Sequence, residues 1–221
     1  MQKIYGFLLE NIVLRIYGLL YSDSITTQLN DLRKIAKLSE IELSVIQSEK
    51  LNKLLKYSVE NIDFYKGHKL SDNENIDIKS FPILDKIIIR DYKKQLINSK
   101  IPFSSLIKHC SSGSSGIQSE IYCTKNEQSA ARATQLLWWE WAGYKIGQPV
   151  LQTGMAGKRT FFKSSKDFFF RTKYLNAYNH SEKDLYKVLK WAKNKNAFLG
   201  GYASSIYVLS LFSKKNIKVA S

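Results

Sequence analysis

The first part of the chain carries a helical pattern of apolar positions. Residues 4–21 are its most apolar stretch, and only two charged side chains interrupt it. Over residues 38–57 leucine and isoleucine recur at a period of about 3.6 residues, and Ser39 followed by Glu42 forms a capping box. Both stretches predict amphipathic helices. The residues expected to face inward in the second helix are Leu43, Ile46, Leu51, Leu54 and Leu55.

The next segment, residues 67–80, is polar, and its composition predicts a loop. Beyond it Pro82 biases Phe81 toward an extended backbone. Asp85 is a helix-capping residue type, and the apolar run after it predicts a short helix through residues 89–92. Residues 1–100 are therefore predicted to be mainly helical.

Strand-like and helix-like patterns alternate from about residue 105 onward. Such alternation is typical of a parallel sheet flanked by helices, so we expect an α/β fold over residues 101–221. The last predicted strand stops with the chain, so we expect this region to be incomplete, with a sheet edge that invites a second chain. The strands are predicted at 105–110, 120–124, 149–153, 168–172, 197–200 and 217–219, and the helices at 126–143, 181–194 and 204–212.

The helix predicted at residues 126–143 begins at the capping residue Asn126 and stops at Gly143. Its three tryptophans, Trp138, Trp139 and Trp141, cover more than one face, which predicts a mostly buried helix. Core packing is the simpler explanation of this cluster, and a ligand pocket is the alternative. In the helix at 181–194 the residues expected to face inward are Leu185, Val188, Leu189 and Ala192.

A loop of serine and glycine lies between the first two predicted strands. Residues 111–119 read SSGSSGIQS and carry no charge. Glycines that adopt positive φ, consecutive backbone N–H groups and several hydroxyls suit such a turn to a phosphate group. The alternative is a flexible surface loop. The residues predicted to bind phosphate are Ser111, Ser112, Gly113, Ser114, Ser115 and Gly116.

Two better-known motifs are excluded. A Walker loop needs a lysine directly after its last glycine, and none follows Gly116. Residues 154–159 are also a near miss, because their glycines are too close and Arg159 stands where a hydroxyl belongs. A nucleophile elbow needs Gly-x-Ser-x-Gly, and residues 113–116 are one residue short.

The chain is basic, and the charge is uneven. Its 221 residues suit one large domain or two small ones, and the formal net charge is +15. Residues 157–221 carry 14 Lys and Arg against 3 Asp and Glu, a net +11, which leaves +4 for residues 1–156. This excess raises nucleic acid, an anionic membrane surface and polyanionic ligands as partners. Because there is no arginine-rich block, zinc knuckle or RNA-binding aromatic signature, nucleic acid is disfavoured, and a solvated lysine-rich face is the alternative.

The expected location is the cytoplasm. Residues 4–21 are too short and too charged for a membrane span, and they lack the basic start and cleavage site of a signal peptide. We expect this helix to pack on the body of the protein, with association with an anionic membrane surface as the alternative. Cys110 and Cys123 fit small buried strand residues in a reducing compartment better than a disulfide.

Four segments of the sequence follow the order and spacing of a known enzyme family. Residues 61–66 are similar to "NxPFYK" and residues 81–90 to "LPILTKxxIR". The serine loop is similar to the phosphate loop [ST][ST]G[ST]TGxP, and residues 201–207 resemble a "GYPSSLY" turn. Together they resemble the phenylacetate–coenzyme A ligase-like branch of the adenylate-forming enzymes, including members encoded with capsule and surface-polysaccharide genes.

The sequence departs from the family pattern at four positions. Ser115 replaces a threonine and keeps its hydroxyl, whereas Gln118 replaces a proline and leaves the loop exit less rigid. Ser119 stands where many members have a lysine, so no charge from that position meets the phosphates. Ala203 replaces the proline of the later turn.

The resemblance implies a two-step reaction. A carboxylate attacks the α-phosphate of ATP to give an acyl-adenylate and pyrophosphate, and the thiol of coenzyme A then takes the acyl group. ATP, Mg²⁺ and coenzyme A are the implied cofactors, and the implied role is in capsule or surface-polysaccharide synthesis. No metal ligand or catalytic residue of this chain is assigned. The residues implied at the carboxylate pocket are Trp138, Gly201, Tyr202 and Ser204.

The family's remaining motifs lie further downstream. They are a glutamate for the metal, an aspartate for the ribose and a lysine in a mobile C-terminal domain. We therefore expect this chain to be the N-terminal half of such a ligase and to be inactive alone. One alternative is a non-catalytic interaction protein, either a fragment or a chain that pairs with a separately encoded C-terminal half. The other is a basic peripheral membrane-binding protein.

Overall fold

The structure is a computed structural model of the chain, and its described part has an α/β fold with one antiparallel and one parallel sheet. The coarse fold class predicted from the sequence is therefore confirmed. Helices and 3₁₀ turns, without strands, occupy the described residues before Ile107. The described residues are 2–21, 23–67, 78–111, 119–154, 167–177 and 181–216.

The elements follow one another as long helices first and alternating strands and helices later. The helices are α1 (Gln2–Tyr21), α2 (Ile25–Ile35), α3 (Glu40–Asn61), α4 (Lys86–Asp91), α5 (Lys125–Trp141), α6 (Glu182–Lys195) and α7 (Ala203–Asn216). The strands are β1 (Ile107–Cys110), β2 (Glu120–Cys123), β3 (Val150–Gly154), β4 (Thr172–Asn176) and β5 (Phe198–Gly200).

Contacts divide the chain into two compact units. The first, Ser22–Thr134, contains the β1–β2 ladder and is named the hairpin unit. The second, Met1–Tyr21 with Gln135–Ser221, contains β3, β4 and β5 and is named the sheet unit. The division falls within α5 rather than at residue 100, and the domain boundary proposed from the sequence stays a prediction.

The sheet unit is built on three parallel strands in the order β4–β3–β5. Leu151 of β3 and Leu175 of β4 pack against the inner face of α6 and against Leu209 of α7. The four α6 residues predicted to face inward are all buried, because the apolar stripe and the capping box at Ser181 and Asp184 agree on where the helix starts. These buried α6 residues are Leu185, Val188, Leu189 and Ala192.

Aromatic side chains form a second cluster of the sheet unit. Measured between ring centroids, Trp139 lies 5.5 Å from Phe198 and 5.5 Å from Tyr144. The rings of Phe198 and Tyr144 are 5.3 Å apart. Burial raises the pKa of Tyr144 to about 12. Phe198 and Leu199 alternate along β5, so this cluster lies on the face of the sheet opposite Leu151 and Leu175.

Helix α1 belongs to the sheet unit and has a π-helical turn at Leu9–Val13. The helix confirms the prediction for residues 4–21, but it is 20 residues long and contains an 18-residue window with a mean hydropathy of 1.3, so it is long and apolar enough to cross a membrane. On length and composition, the expectation that this stretch is too short and too charged is therefore wrong. Among the described residues no other helix meets that criterion.

Polar caps define the helices of the hairpin unit. Ser39 N–H donates to Glu42 Oε2 at 2.8 Å, and Glu42 N–H donates back to Ser39 Oγ at 3.4 Å, which confirms the predicted capping box of α3. Asp85 caps α4 as predicted, because its carboxylate accepts hydrogen bonds from two backbone N–H groups. Of the five α3 residues expected to face inward, Leu55 is buried, whereas Leu43 and Leu54 are exposed.

Several predictions for the later elements are wrong. Strands β1 and β2 are antiparallel, not part of a parallel sheet. Helix α5 is capped by Thr124, not Asn126, because Thr124 and Glu127 exchange the hydrogen bonds of a capping box. The strand predicted at 168–172 begins only at Thr172, after Arg171 with its φ of +49°. Residues 217–219, predicted as a strand, and most of the predicted loop at 67–80 lie outside the described residues.

The tryptophan-rich helix α5 is less buried than predicted. Trp138 is 58% exposed and Trp141 is 67% exposed, while Trp139 is half-buried. Side chains on a helix advance by about 100° per residue, so three tryptophans within four positions point in different directions. One of them packs against the sheet, and the prediction of a mostly buried helix is wrong.

Candidate functional site

Hydrogen bonds close the two ends of the serine loop. Ser111 N–H donates to the carbonyl oxygen of Ser119 at 2.9 Å, and Ser119 N–H donates to Oγ of Ser111 at 2.9 Å. Next to them Cys110 pairs with Glu120 at the end of the β1–β2 ladder. The loop therefore begins and ends at a pair of strands whose register is fixed. The other predicted phosphate-binding residues, Ser112, Gly113, Ser114, Ser115 and Gly116, lie outside the described residues.

The hydroxyl of Ser119 is buried at the base of this loop. Ser119 is only 8% exposed, and within the described part of the chain its Oγ has no hydrogen-bond partner. An unpaired buried hydroxyl costs about 1–3 kcal/mol, so it calls for an explanation such as a ligand, a water molecule or strain. From the sequence alone, Ser119 stands out only as the loss of the family's lysine, and its hydroxyl is not among the predicted phosphate-binding groups.

Three side chains surround the carboxylate that follows Ser119. Glu120 accepts from Lys93 Nζ at 2.8 Å, from Lys108 Nζ at 2.9 Å and from the hydroxyl of Tyr122 at 3.1 Å. The hydrogen bonds from Lys93, Lys108 and Tyr122 lower the pKa of Glu120 to about 2, and the same contacts raise the pKa values of both lysines. The carboxylate is therefore ionised at neutral pH, and its charge is balanced beside the loop.

Two of the segments that resemble the ligase family pack together in the hairpin unit. The rings of Tyr65 and Phe81 lie 5.4 Å apart, and those of Phe64 and Tyr92 lie 5.2 Å apart. Phe64 N–H also donates to the carbonyl of Gln95 at 3.1 Å. Residues 61–66 therefore have a structural role in joining the end of α3 to the region around α4.

The two cysteines flank the serine loop as free thiols. Cys123 is half-buried, and burial raises the pKa of its thiol. Cys110 is exposed, so the prediction that both are buried strand residues is wrong for Cys110. Successive side chains of a strand point to opposite faces, and the exposed pattern of β1 places little of that strand in a core.

The turn at Gly201 lies in the sheet unit and joins β5 to α7. Gly201 has a φ of +133°, and a Cβ there would overlap Oγ1 and the carbonyl of Thr153 and lie 2.8 Å from its nitrogen. Tyr202 N–H donates to Oγ1 of the buried Thr153 at 3.0 Å. Only glycine fits this position. Sequence reasoning identified Gly201 and Tyr202 but missed Thr153, whose position directly before Gly154 at a strand end was the available signal.

The residues predicted for the carboxylate pocket are only partly brought together. Gly201, Tyr202 and Ser204 are close in the chain, and all three are exposed. The tryptophan beside this turn is Trp139 rather than the predicted Trp138, because a Cβ on Gly200 would lie 3.1 Å from the Trp139 ring. The ends of the serine loop belong to the hairpin unit.

The strand order gives the Gly201 turn a notable position. From β3 the chain passes to β4 on one side of β3, and it then crosses to β5 on the other side of β3. In open parallel sheets ligands bind at the carboxyl ends of two strands where the connections reverse direction. Here that point lies between β3 and β5, at Thr153 and Gly201, although the backbone of Gly201 itself fills the space directly against Thr153.

Two cavities lie elsewhere in the sheet unit. A cavity of about 680 Å³ is lined by basic and aromatic side chains that include Arg171, Lys195 and Trp191. A smaller one of about 320 Å³ lies along β4 and α6. Neither is lined by Trp138, Gly201, Tyr202 or Ser204. Among the described residues no three His, Cys, Asp or Glu side chains are grouped to hold a metal ion.

Comparison with known proteins identifies no relative. No family model matches the chain, and no curated protein or solved structure matches it either. The resemblance to the adenylate-forming enzymes therefore depends on the four sequence segments and on their order alone.

Proposed function

We propose that this chain is the ATP-binding part of a carboxylate-activating protein of the adenylate-forming type. The serine loop holds the phosphates of ATP while a carboxylate oxygen bonds to the α-phosphorus and the bond to pyrophosphate breaks. Coenzyme A then takes the acyl group and AMP leaves. The four resembling segments suggest this chemistry, and they suggest a role in surface-polysaccharide synthesis.

The observation that carries the proposal is the buried, unpaired hydroxyl of Ser119. It belongs to the last residue of the loop that the sequence predicts to bind phosphate. A phosphate oxygen accepts hydrogen bonds, so a bound nucleotide would satisfy a donor that is unpaired within the described residues. The hydroxyl would also replace, as a neutral donor, the lysine that many family members have at this position.

The charges beside the loop fit the same proposal. A carboxylate next to a phosphate would repel it, but both oxygens of Glu120 are paired with lysines. Lys93, Lys108 and Glu120 together carry a net charge of +1, which favours an anion nearby. Mg²⁺, if it enters with ATP, would be held by the phosphates, and coenzyme A would bind through parts of the protein that the resemblance places downstream.

Binding is the direct test, because the downstream catalytic motifs are not among these residues. We expect the full chain to bind MgATP in isothermal titration calorimetry. Ser119→Ala removes the unpaired hydroxyl, so it should weaken MgATP binding about fivefold to tenfold and raise the stability of the nucleotide-free protein slightly. A purely structural role for Ser119 predicts the opposite effect on stability.

The matched control is Ser105→Ala, in the same unit. Its hydroxyl donates to the carbonyl of Pro102 at 2.7 Å, away from the loop. This variant should bind MgATP like the unmodified chain. Gly113→Val should abolish nucleotide affinity if the loop needs glycine, as the sequence argument requires. Equal MgATP affinity of the Ser119→Ala and Gly113→Val variants and the parent chain would refute the proposal.

A further inference from the structure

Helix α1 exposes many large apolar side chains on one face. Leu19 is 86% exposed and Leu20 73%, and similar exposure is found at its other end. Soluble monomeric proteins rarely expose contiguous apolar patches of this kind, and such patches mark contact with a partner or a membrane. We name this surface the α1 apolar face, and it is formed by Ile4, Phe7, Leu8, Ile16, Leu19 and Leu20.

The π-helical turn keeps this face continuous. The residues that α1 buries are Gly6, Leu9 and Leu14, spaced by three and then by five. In a regular α-helix, a residue five positions after a buried one points away from the buried face. The hydrogen bonds of a π turn, however, span five residues. The turn at Leu9–Val13 therefore returns Leu14 to the buried face, and the apolar residues on both sides of the turn share the exposed face.

The buried face fixes α1 to the rest of the sheet unit. A Cβ on Gly147 would lie 2.7 Å from Cα of Gly6, so the two backbones are in direct contact. Tyr5 donates its hydroxyl proton to the carbonyl of Phe169 at 2.6 Å, and the guanidinium of Arg171 lies 3.9 Å from the centre of the Tyr5 ring. The α1 apolar face is thus part of the surface of this unit.

Charge identifies the partner of this face. The sheet unit carries 17 Lys and Arg against 5 Asp and Glu, a net +12 of the total +15. A second copy of the chain would bring two such units together against their mutual repulsion, whereas anionic lipid attracts them. We propose that the α1 apolar face lies on the surface of an anionic lipid bilayer, with its apolar side chains in the acyl region and basic residues such as Lys3 and Arg15 at the headgroups.

The orientation follows from the packing of the helix. Although α1 is long enough to cross a bilayer, its buried face contacts protein backbone at Gly6. A helix held in this way lies along the membrane surface rather than through it. This inference does not depend on nucleotide binding, because none of its residues belongs to the serine loop.

Vesicle co-sedimentation of the full chain tests the proposal. The probes are vesicles of phosphatidylcholine alone and of phosphatidylcholine with phosphatidylglycerol. The test variant combines Leu19→Asp with Leu20→Asp. The matched control combines Ile41→Asp with Ile83→Asp, which changes the same charge at two residues that are 78% and 91% exposed in the hairpin unit. Circular dichroism verifies that both variants are folded.

We expect binding to the anionic vesicles that weakens at about 0.5 M salt, because salt screens the attraction of the basic residues. The Leu19/Leu20 variant should lose at least about a hundredfold in lipid partitioning, and the Ile41/Ile83 control less than about threefold. Equal loss in both variants would show that charge alone is responsible, and unchanged binding by the Leu19/Leu20 variant would exclude the α1 apolar face.

Two further results would also overturn the proposal. A dimer that the Leu19/Leu20 substitutions abolish, without vesicle binding by the parent chain, would show that a second copy covers this face; light scattering measures it. Salt-insensitive binding to both vesicle types, with protection of residues 2–21 from added protease, would show that the helix crosses the bilayer.

Discussion

The sheet unit and the hairpin unit are stabilised by different interactions. Of the apolar residues buried in the described part of the chain, twelve lie in the sheet unit and four in the hairpin unit. The hairpin unit depends more on polar contacts, such as the ion pairs of Glu120 and the hydrogen bond from Ser129 to Asp23 at 2.9 Å. Close packing therefore dominates the stability of the sheet unit, whereas ionised carboxylates contribute to the stability of the hairpin unit.

The two units can be observed separately. All four tryptophans, Trp138, Trp139, Trp141 and Trp191, belong to the sheet unit, so tryptophan fluorescence reports its unfolding alone. Far-UV circular dichroism also detects α3, the 22-residue helix of the hairpin unit. A difference between the two signals distinguishes a change in one unit from a change in both.

The largest effect should come from the core of the sheet unit. Leu151 is completely buried in the α6–α7 cluster, so Leu151→Ala should lower the free energy of unfolding by about 2–5 kcal/mol through lost burial and a residual cavity. Urea unfolding followed by tryptophan fluorescence measures it. Leu199→Ala, at the paired but exposed position of β5, should cost less than about 1 kcal/mol. Similar losses for the two variants would contradict a packed core on the Leu151 face.

A smaller but substantial effect is expected at the Gly201 turn. Gly201→Ala introduces a Cβ that overlaps Thr153 at a φ of +133°, so the sheet unit should lose at least about 2 kcal/mol of stability. The control is Gly154→Ala, where no atom of the described residues other than the chain neighbours lies within 4 Å of the added Cβ and the change should remain within about 0.5 kcal/mol. If the Gly201 variant were as stable as the control, the contact between the turn and β3 would be disproved.

The smallest effect concerns the hairpin unit and depends on pH. The pKa of Glu120 is lowered from its ordinary 4.5 to about 2, so between these values the unfolded state binds a proton that the folded state does not. The stabilisation is complete above pH 4.5 and is lost as the pH falls toward 2. Glu120→Gln should therefore flatten the pH dependence seen by circular dichroism in this window.

The same experiment sharpens the comparison of the units. Tryptophan fluorescence of the Glu120→Gln variant should follow the pH dependence of the parent chain, because the ion pairs lie in the hairpin unit. Glu49→Gln, on an exposed position of α3, serves as the charge-matched control. If Glu49→Gln flattened the circular dichroism curve as much as Glu120→Gln, the lysine pairs would not be the cause.

Local signals in the sequence predict α3, α4 and α6, whereas no helix is predicted over α2. The Ser39–Glu42 box, the Asp85 cap and the apolar stripe of α6 each bring several independent preferences into agreement, and the structure follows them. The cap of α5 shows how such a signal is overlooked. Thr124 and Glu127 have the spacing of a capping box, which is more specific than the single polar residue Asn126.

The errors arise where the chain must be considered in three dimensions. The nine-residue loop between β1 and β2 is too short for a parallel crossover, so the antiparallel pairing was available from its length. The aromatic run at Phe168–Phe170 has the composition of a strand, but Arg171 in the left-handed region delays the strand to Thr172. The contact of Gly201 with Thr153 joins residues that are distant in sequence, so the strand-end position of Thr153 marks a candidate residue but does not identify its partner.

The π turn of α1 has a consequence for insertions and deletions. Removing one residue from a helix normally rotates everything beyond it by about 100°. In α1, however, a deletion between Leu9 and Leu14 would reduce their spacing from five to four, which is the spacing of one face in a regular α-helix. Because the turn at Leu9–Val13 holds one surplus residue, α1 can lose one residue there and keep both its buried face and its apolar face.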